Sequence, residues 1–274
     1  MSGLDIGGSL LLLGAGKMGG AMLEGWLTLG LDPKLVTALD PHLPAEAVEA
    51  LRAKGIGVNP DLKIVGLPAV VLLAIKPQMM DQALGTVAAL FGPGTLAVSI
   101  MAGKTIAGIA KLLPPGTAIV RAMPNTPAAV GRGITAAVSN AQVTEAQRAA
   151  ADALLRSTGG VEWVDDEGLI DAVTAVSGSG PAYVFHLVEA MASAGVAAGL
   201  PAELAMRLAR ATVSGSGELL HQSDQPAAVL RQNVTSPGGT TAAALAVLMA
   251  ADGLTPLLHK AVAAARQRAA ELAD

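Results

Sequence analysis

Two glycine-bearing stretches carry the residues that could do chemistry. GAGKMG, Gly14 to Gly19, is a full GxGxxG directly after the apolar run SLLLL and directly before an amphipathic stretch. In that setting each glycine has a reason: Gly14 permits a tight turn, Gly16 lets backbone approach a pyrophosphate, and Gly19 lets helix pack on strand. The same fingerprint asks for an acid about 20 residues further on, and LVTALD supplies Asp40. A carboxylate there accepts from a ribose 2′-hydroxyl and repels a 2′-phosphate, which leans toward NADH over NADPH; His42 or Lys17 would still tolerate the phosphate. Gly14, Ala15, Gly16, Lys17, Met18 and Asp40 are therefore expected to bind the cofactor. AIKP adds Ala74 and Lys76 at the carboxyl end of another apolar run, where ligands sit in open parallel sheets, Lys76 serving either the ligand or as a solvated strand-end cation.

The second stretch, NVTSPGGTTAAAL, residues 233 to 245, interrupts a tail rich in Ala and Leu. Gly and Pro cost about 1 and 3 kcal/mol inside a helix, so this block is expected to start one. A helix start offers free N–H groups, and free N–H groups hold anions. SGSGP, Ser177 to Pro181, looks like another helix entrance, its serines serving either as N-caps or as substrate contacts.

Those two sites need a scaffold, and the pattern supplies one. From residue 9 to about 164, short apolar runs (SLLLL, LVTAL, VVLLAI, LAVSI, TAIVR, ITAAV, GVEWV) alternate with helix-like segments such as Met18 to Leu29, Pro44 to Lys54 and Gln78 to Leu90. Strand followed by helix, repeated, predicts a mostly parallel sheet with helices on both faces. Thr144 with Gln147 makes a capping box before a further helix. Beyond Asp165 only helical stretches follow: about 167–176, 181–198, 201–222, 226–233, 239–250 and 256–272. Pro181, Pro201, Pro226 and Pro256 mark four of the starts. The expectation is an α/β Rossmann domain over 1–165 and an all-α domain over 166–274.

Composition narrows the partners. Of 274 residues, 52% are hydrophobic, yet no apolar run approaches the roughly 20 residues of a bilayer helix; the excess predicts surface buried between subunits. Asp5 stands where a signal peptide would carry positive charge, so the chain is expected to be cytoplasmic. There is no cysteine, the net charge is −4 and only five residues are aromatic, which excludes thiolate chemistry and leaves no nucleic-acid footprint. His186, His221 and His259 are scattered singly, so no metal site is expected. The partner should be a small molecule.

Several segments together, LLLLGAGKMGGAML, LLAIKPQ, VSIMAG, RAMPNTPAAVGRG, AVSGSGPAYVFHLVEA and NVTSPGGTTAAAL, resemble the pyrroline-5-carboxylate reductases over residues 9 to 272. The resemblance implies a Rossmann domain followed by an α-helical dimerisation domain, NAD(P)H as hydride donor, a ring of dimers as a common assembly, and reduction of a cyclic imine carboxylate to L-proline as the last step of proline biosynthesis. It implies Thr241 as the residue that orients the imine nitrogen, with Asn233, Ser236, Gly238, Gly239 and Thr240 as further substrate contacts. Ala102 and Asn125 join the cofactor set, Met123 to Asn125 forming a wall near the nicotinamide. Many members carry Asn or Gln at the position of Lys17.

Two rivals are weaker. β-Hydroxyacid dehydrogenases share the architecture but use a lysine in the helical part, and here the only lysine after Lys111 is Lys260, without the expected asparagine four residues on. A nucleotide sensor would not need the SPGGTT helix entrance.

Overall fold

In the computed structural model, which describes residues 4–272, the first four leucines form β1 (Leu10–Leu13), every one of them buried. Their alternation decides the layering: Leu10 and Leu12 point into one core with Met22, Trp26 and Leu154, while Leu11 and Leu13 point into another with Val71, Leu84 and Ile109. A strand covered on both faces has to be apolar at every position, which is why SLLLL shows no polar alternation.

The strands β1, β2 (Val36–Leu39), β3 (Gly57–Val58), β4 (Val70–Leu73), β5 (Leu96–Ser99), β6 (Ala118–Met123), β7 (Gly133–Ser139) and β8 (Gly159–Trp163) make one sheet in the order β3-β2-β1-β4-β5-β6-β7-β8. All pairs are parallel except β6 with β7. The helices α1 (Lys17–Thr28), α2 (Ala45–Ala53), α3 (Met80–Val87), α4 (Ile106–Ala110) and α5 (Glu145–Arg156) lie among them in sequence. Trp26, fully buried, ties α1 to α5 by donating its indole N–H to the Leu154 carbonyl at 2.9 Å. The Thr144–Gln147 capping box opens α5 as its sequence requires.

Against β8, α5 is held by a charged clamp. Asp152 accepts from the Trp163 indole at 2.9 Å and from the Arg156 guanidinium at 2.6 Å, and Arg148 lies 4.1 Å over the Trp163 ring. Burial pushes the Asp152 carboxyl up, but its hydrogen bonds to Arg156 and Trp163 and the charges of Arg156 and Arg148 outweigh that and hold it below the usual value. A carboxylate with a lowered folded pKa stabilises the native state above its unfolded pKa and stops doing so as pH falls through the folded one. Asp152→Asn should therefore lower stability by a few tenths to about 1 kcal/mol at pH 7. Thermal melts from pH 7 to pH 3.5 should show that gap closing below about pH 4.

The helices α6 (Leu169–Val173), α7 (Gly180–Ala197), α8 (Ala202–Gln222), α9 (Ala227–Asn233), α10 (Thr240–Leu248) and α11 (Leu254–Glu271) follow. Two compact units result: one runs to Gly178 and takes back the residues from Arg266 onward, the other spans Ser179–Ala265. Residues 166–178, assigned from sequence to the helical domain, thus cluster with the sheet. Ile170 is buried against Ala136 and Val138 of β7, and Arg121 of β6, almost wholly enclosed, meets Glu167 at 2.8 Å and Asp171 at 3.8 Å. Glu167 also accepts from the Ile106 amide at 2.8 Å, opening α4. Breaking such a buried pair leaves an uncompensated charge, so 167–171 is pinned to the sheet.

Within the helical unit α7 packs on α8, where Gly195 lets Ala205 approach; a Cβ on Gly195 would lie 3.1 Å from that of Ala205. Gly199, at φ +98°, ends α7, with its own amide bonded to Val196 and that of Leu200 to Gly195, the Schellman pattern. Little of this unit is buried. Phe185, Leu219, Val247 and Leu257 are each more than 60% exposed, far more apolar surface than an isolated unit normally presents. Among the described residues no helix is long and apolar enough to cross a membrane.

Candidate active site

At the carboxyl end of β1 the three glycines separate by cause. Gly14 sits at φ +88°, and a Cβ there would lie 2.7 Å from the Ala74 carbonyl oxygen. Gly19 faces the Gly14 carbonyl so closely that a Cβ would come within 2.1 Å of it. Both are required by the fold itself. Gly16 is different: it is exposed, and a Cβ on it would meet nothing within 4 Å. The fold itself therefore does not require a glycine here; a pyrophosphate approaching the backbone would. Gly16 precedes α1, whose first turn has neither a side-chain cap nor an acidic residue. Its amides lack intrahelical acceptors and carry the positive end of the helix dipole, so the turn suits an anion.

Asp40, the last position before the turn that follows β2, is locked in place. Its carboxylate accepts from the Ala15 amide at 3.0 Å and from the His42 amide at 3.0 Å. The Ala15 N–H is thus committed to Asp40, which joins the acid directly to the glycine turn. Met18, Ala74, Lys76, Ala102 and Asn125 line a single cleft of about 340 Å³ together with Met123, Pro124 and Gly178. Met123, Pro124 and Asn125 follow one another along its wall. Asn125 anchors that wall: its side chain donates to the Ser177 hydroxyl at 3.1 Å and accepts from the Ile134 amide at 3.0 Å. Ser177 itself lies on a π-helical turn, Thr174–Gly178, and Gly178 leaves room for the Met123 methyl group, 2.7 Å from where a Cβ would stand. No local signal in the sequence marks a π-turn, and 167–176 reads as ordinary helix.

In the helical unit the SPGGTT block forms the expected helix start. Pro237 and Gly238, the latter at φ +68°, turn the chain, and the Gly239 amide donates to the Ser236 carbonyl at 3.1 Å. Proline second and a left-handed glycine third are the residues a type II turn demands. Gly239 is the N-cap of α10 with no side-chain cap, and Thr240 and Thr241 are its first two residues. Ser236, Gly238, Gly239, Thr240 and Thr241 are therefore one local structure. Asn233 is the last residue of α9, and its amide donates to Gln225 at 3.3 Å.

A glycine-rich turn behind a buried strand, an acid locked to that turn and an apolar cleft at the sheet's carboxyl edge define a dinucleotide-binding oxidoreductase. Residues 9–103 match the family described as NADP oxidoreductase, coenzyme F420-dependent, and residues 167–272 match pyrroline-5-carboxylate reductase dimerisation. The pyrroline-5-carboxylate reductase of Pseudomonas aeruginosa is 40% identical over 265 residues, 97% of either chain. A solved pyrroline-5-carboxylate reductase from Coxiella burnetii superposes with a TM-score of 0.90 at 34% identity, over 97% of this chain and 99% of that one. A solved pyrroline carboxylate reductase from Plasmodium falciparum, with NADP bound, gives 0.80 at 27% identity over 98% and 99%. The chain belongs to the pyrroline-5-carboxylate reductase family.

Proposed function

We propose that this chain reduces the cyclic imine of 1-pyrroline-5-carboxylate to L-proline, the closing step of proline biosynthesis, and that it does so by positioning more than by acid–base chemistry. The observation that carries this reading is the type II turn that delivers an uncapped helix start at Gly239 to Thr241. The amides of the first turn of α10 hold the substrate carboxylate, with nothing at Gly238 to block its approach. The Thr241 hydroxyl orients the imine nitrogen and shares its proton. Asn233 and Ser236 supply further contacts. A protonated imine is already electrophilic, so alignment can account for most of what the protein contributes.

NAD(P)H, when bound, supplies the hydride. The residues present fit it: open space over Gly16, an uncapped first turn in α1, and the cleft lined by Met18, Ala74, Lys76, Ala102 and Asn125. Gly14 and Gly19 shape the turn and Ala15 couples it to Asp40, while Lys17 adds a cation beside the pyrophosphate. Asp40 favours NADH by accepting from the ribose hydroxyls. We assign cofactor binding to residues 1–165, and substrate binding with self-association to residues 166–274, of which 166–178 pack on the sheet, the exposed apolar faces of α7 to α11 being what a second copy covers. A dimer, assembling further into a ring of dimers in the cytoplasm, is the form we propose.

Mixing the protein with 1-pyrroline-5-carboxylate and either reduced cofactor, and following the loss of nicotinamide absorbance, tests the activity; a flat trace from folded protein sinks it. In the same assay Asp40→Ala should raise the Kd for NADH on the order of tenfold, the loss of hydrogen bonds to a charged group, and change NADPH much less. An unchanged ratio of the two affinities removes the NADH preference.

A further inference from the structure

Asn59 was not singled out by its sequence, yet its side chain is bonded to both the backbone amide and the backbone carbonyl of Asp40. The Asp40 amide donates to Asn59 Oδ1 at 2.8 Å, and Asn59 Nδ2 donates to the Asp40 carbonyl at 2.9 Å. The strand β3 is only two residues long, in register Thr37 with Gly57 and Ala38 with Val58. Its last ladder bond is the Asn59 amide to the Ala38 carbonyl at 2.9 Å. There the main chain turns away: Asn59, at φ +47°, is the non-glycine residue with positive φ among those described. Asn is one of the few side chains that tolerates that conformation. Its planar amide offers one donor and one acceptor side by side, so it replaces the missing strand residue and completes the pairing of Asp40.

We propose that Asn59 is a positioning residue for the cofactor's ribose, acting through Asp40; this rests on the reading of Asp40 given above. With its amide and carbonyl held by Asn59, and its carboxylate oxygens held by the amides of Ala15 and His42, Asp40 is fixed from four directions. Two amide bonds leave the carboxylate with unused lone pairs, in a fixed orientation, for a pair of neighbouring hydroxyls. A carboxylate so restrained cannot swing aside for a 2′-phosphate, so the same clamp that favours the diol disfavours the phosphate ester. Preorganisation of this kind, by groups that do not touch the ligand, is how a supporting residue tunes a site.

The alternative is that Asn59 only ends β3, and the two roles separate in binding selectivity. Kd values for NADH and NADPH, from nicotinamide fluorescence on the full chain, are compared for wild type, Asn59→Gly, Asp40→Ala and the double variant. Glycine keeps φ +47° accessible and removes only the side chain. Asn59→Gly should weaken NADH about five- to tenfold and NADPH less than about twofold, as expected for loosening an acceptor and not the whole turn. Added to Asp40→Ala it should leave the ratio where Asp40→Ala put it, because the route through Asp40 is already cut. If Asn59→Gly keeps the wild-type ratio while Asp40→Ala shifts it, Asn59 is a strand terminator and the proposal is overturned alone. If neither shifts the ratio, the role of Asp40 at the ribose falls and takes the proposal with it. Should Asn59→Gly fail to fold, Asn59→His serves the same comparison: histidine also tolerates positive φ and adds no negative charge, but lacks the side-by-side donor and acceptor, and at about pH 8 must shift the ratio in the same direction.

Discussion

Gly19→Ala should cost the protein both its cofactor and part of its stability, whereas Gly16→Ala should cost only the cofactor. The difference lies in what a new methyl group meets. At Gly19 it would stand 2.1 Å from the Gly14 carbonyl oxygen and 3.1 Å from the Ala74 Cβ, so α1 must retreat from the ends of β1 and β4. Forced overpacking of this kind costs about 1–3 kcal/mol and sometimes more. In a unit this size that is a drop in Tm of roughly 2–4 °C for each kcal/mol. The same retreat displaces the first turn of α1, and NADH affinity should fall by at least about a hundredfold when a positioning turn moves by an ångström. At Gly16 the methyl group meets no protein atom within 4 Å. Thermal melts of Gly16→Ala should overlay those of wild type while titration with NADH shows most of the affinity gone. Wild-type affinity in Gly16→Ala means the backbone there is not where the pyrophosphate lies.

That contrast also marks what the sequence could and could not show. GxGxxG reads the same at all three glycines; only the structure separates two that serve packing from one that faces outward. The strands were legible because β1 and β4 are apolar throughout and β5 is apolar up to its last residue, the buried Ser99, the pattern of a sheet covered on both faces. Missed were β3, two residues long with no periodicity to find, and α4, five residues long and started by Thr105 and a distant carboxylate. The antiparallel turn of β7 was in principle readable. Met123 and Gly133 are joined by nine residues without an α-helix, too few for the crossover that a parallel neighbour needs. The extension of the sheet unit to Gly178 was hidden for another reason: Arg121, Glu167 and Asp171 are ordinary charges in sequence, and only the fold brings them together. Asn59 escaped for the same reason, its partner lying 19 residues away. The SPGG turn, by contrast, is encoded within four residues, because proline and a left-handed glycine specify it locally.

Because that turn is local, its chemistry can be tested without disturbing it. Thr241→Ala should lower kcat/KM for 1-pyrroline-5-carboxylate by about 10- to 100-fold, the scale on which removing one hydrogen-bond partner from a reacting group acts. The substitution keeps the Thr241 backbone amide, and alanine is a better helix former than threonine, so α10 still starts at Thr240 and still presents its first-turn amides. With the proposed carboxylate grip of those amides left intact, the loss should fall mainly on kcat, with KM changing little. Thr241→Ser retains the hydroxyl and should recover most of the rate. Direct titration of NADH should be unaffected by either change, since Thr241 belongs to the helical unit and the glycine turn to the sheet unit. If Thr241→Ala turns over at the wild-type rate, or loses NADH affinity as steeply as it loses rate, the hydroxyl is not at the imine nitrogen. If Thr241→Ser is as slow as Thr241→Ala, the methyl group and not the hydroxyl matters, and the residue's task is packing at the helix start.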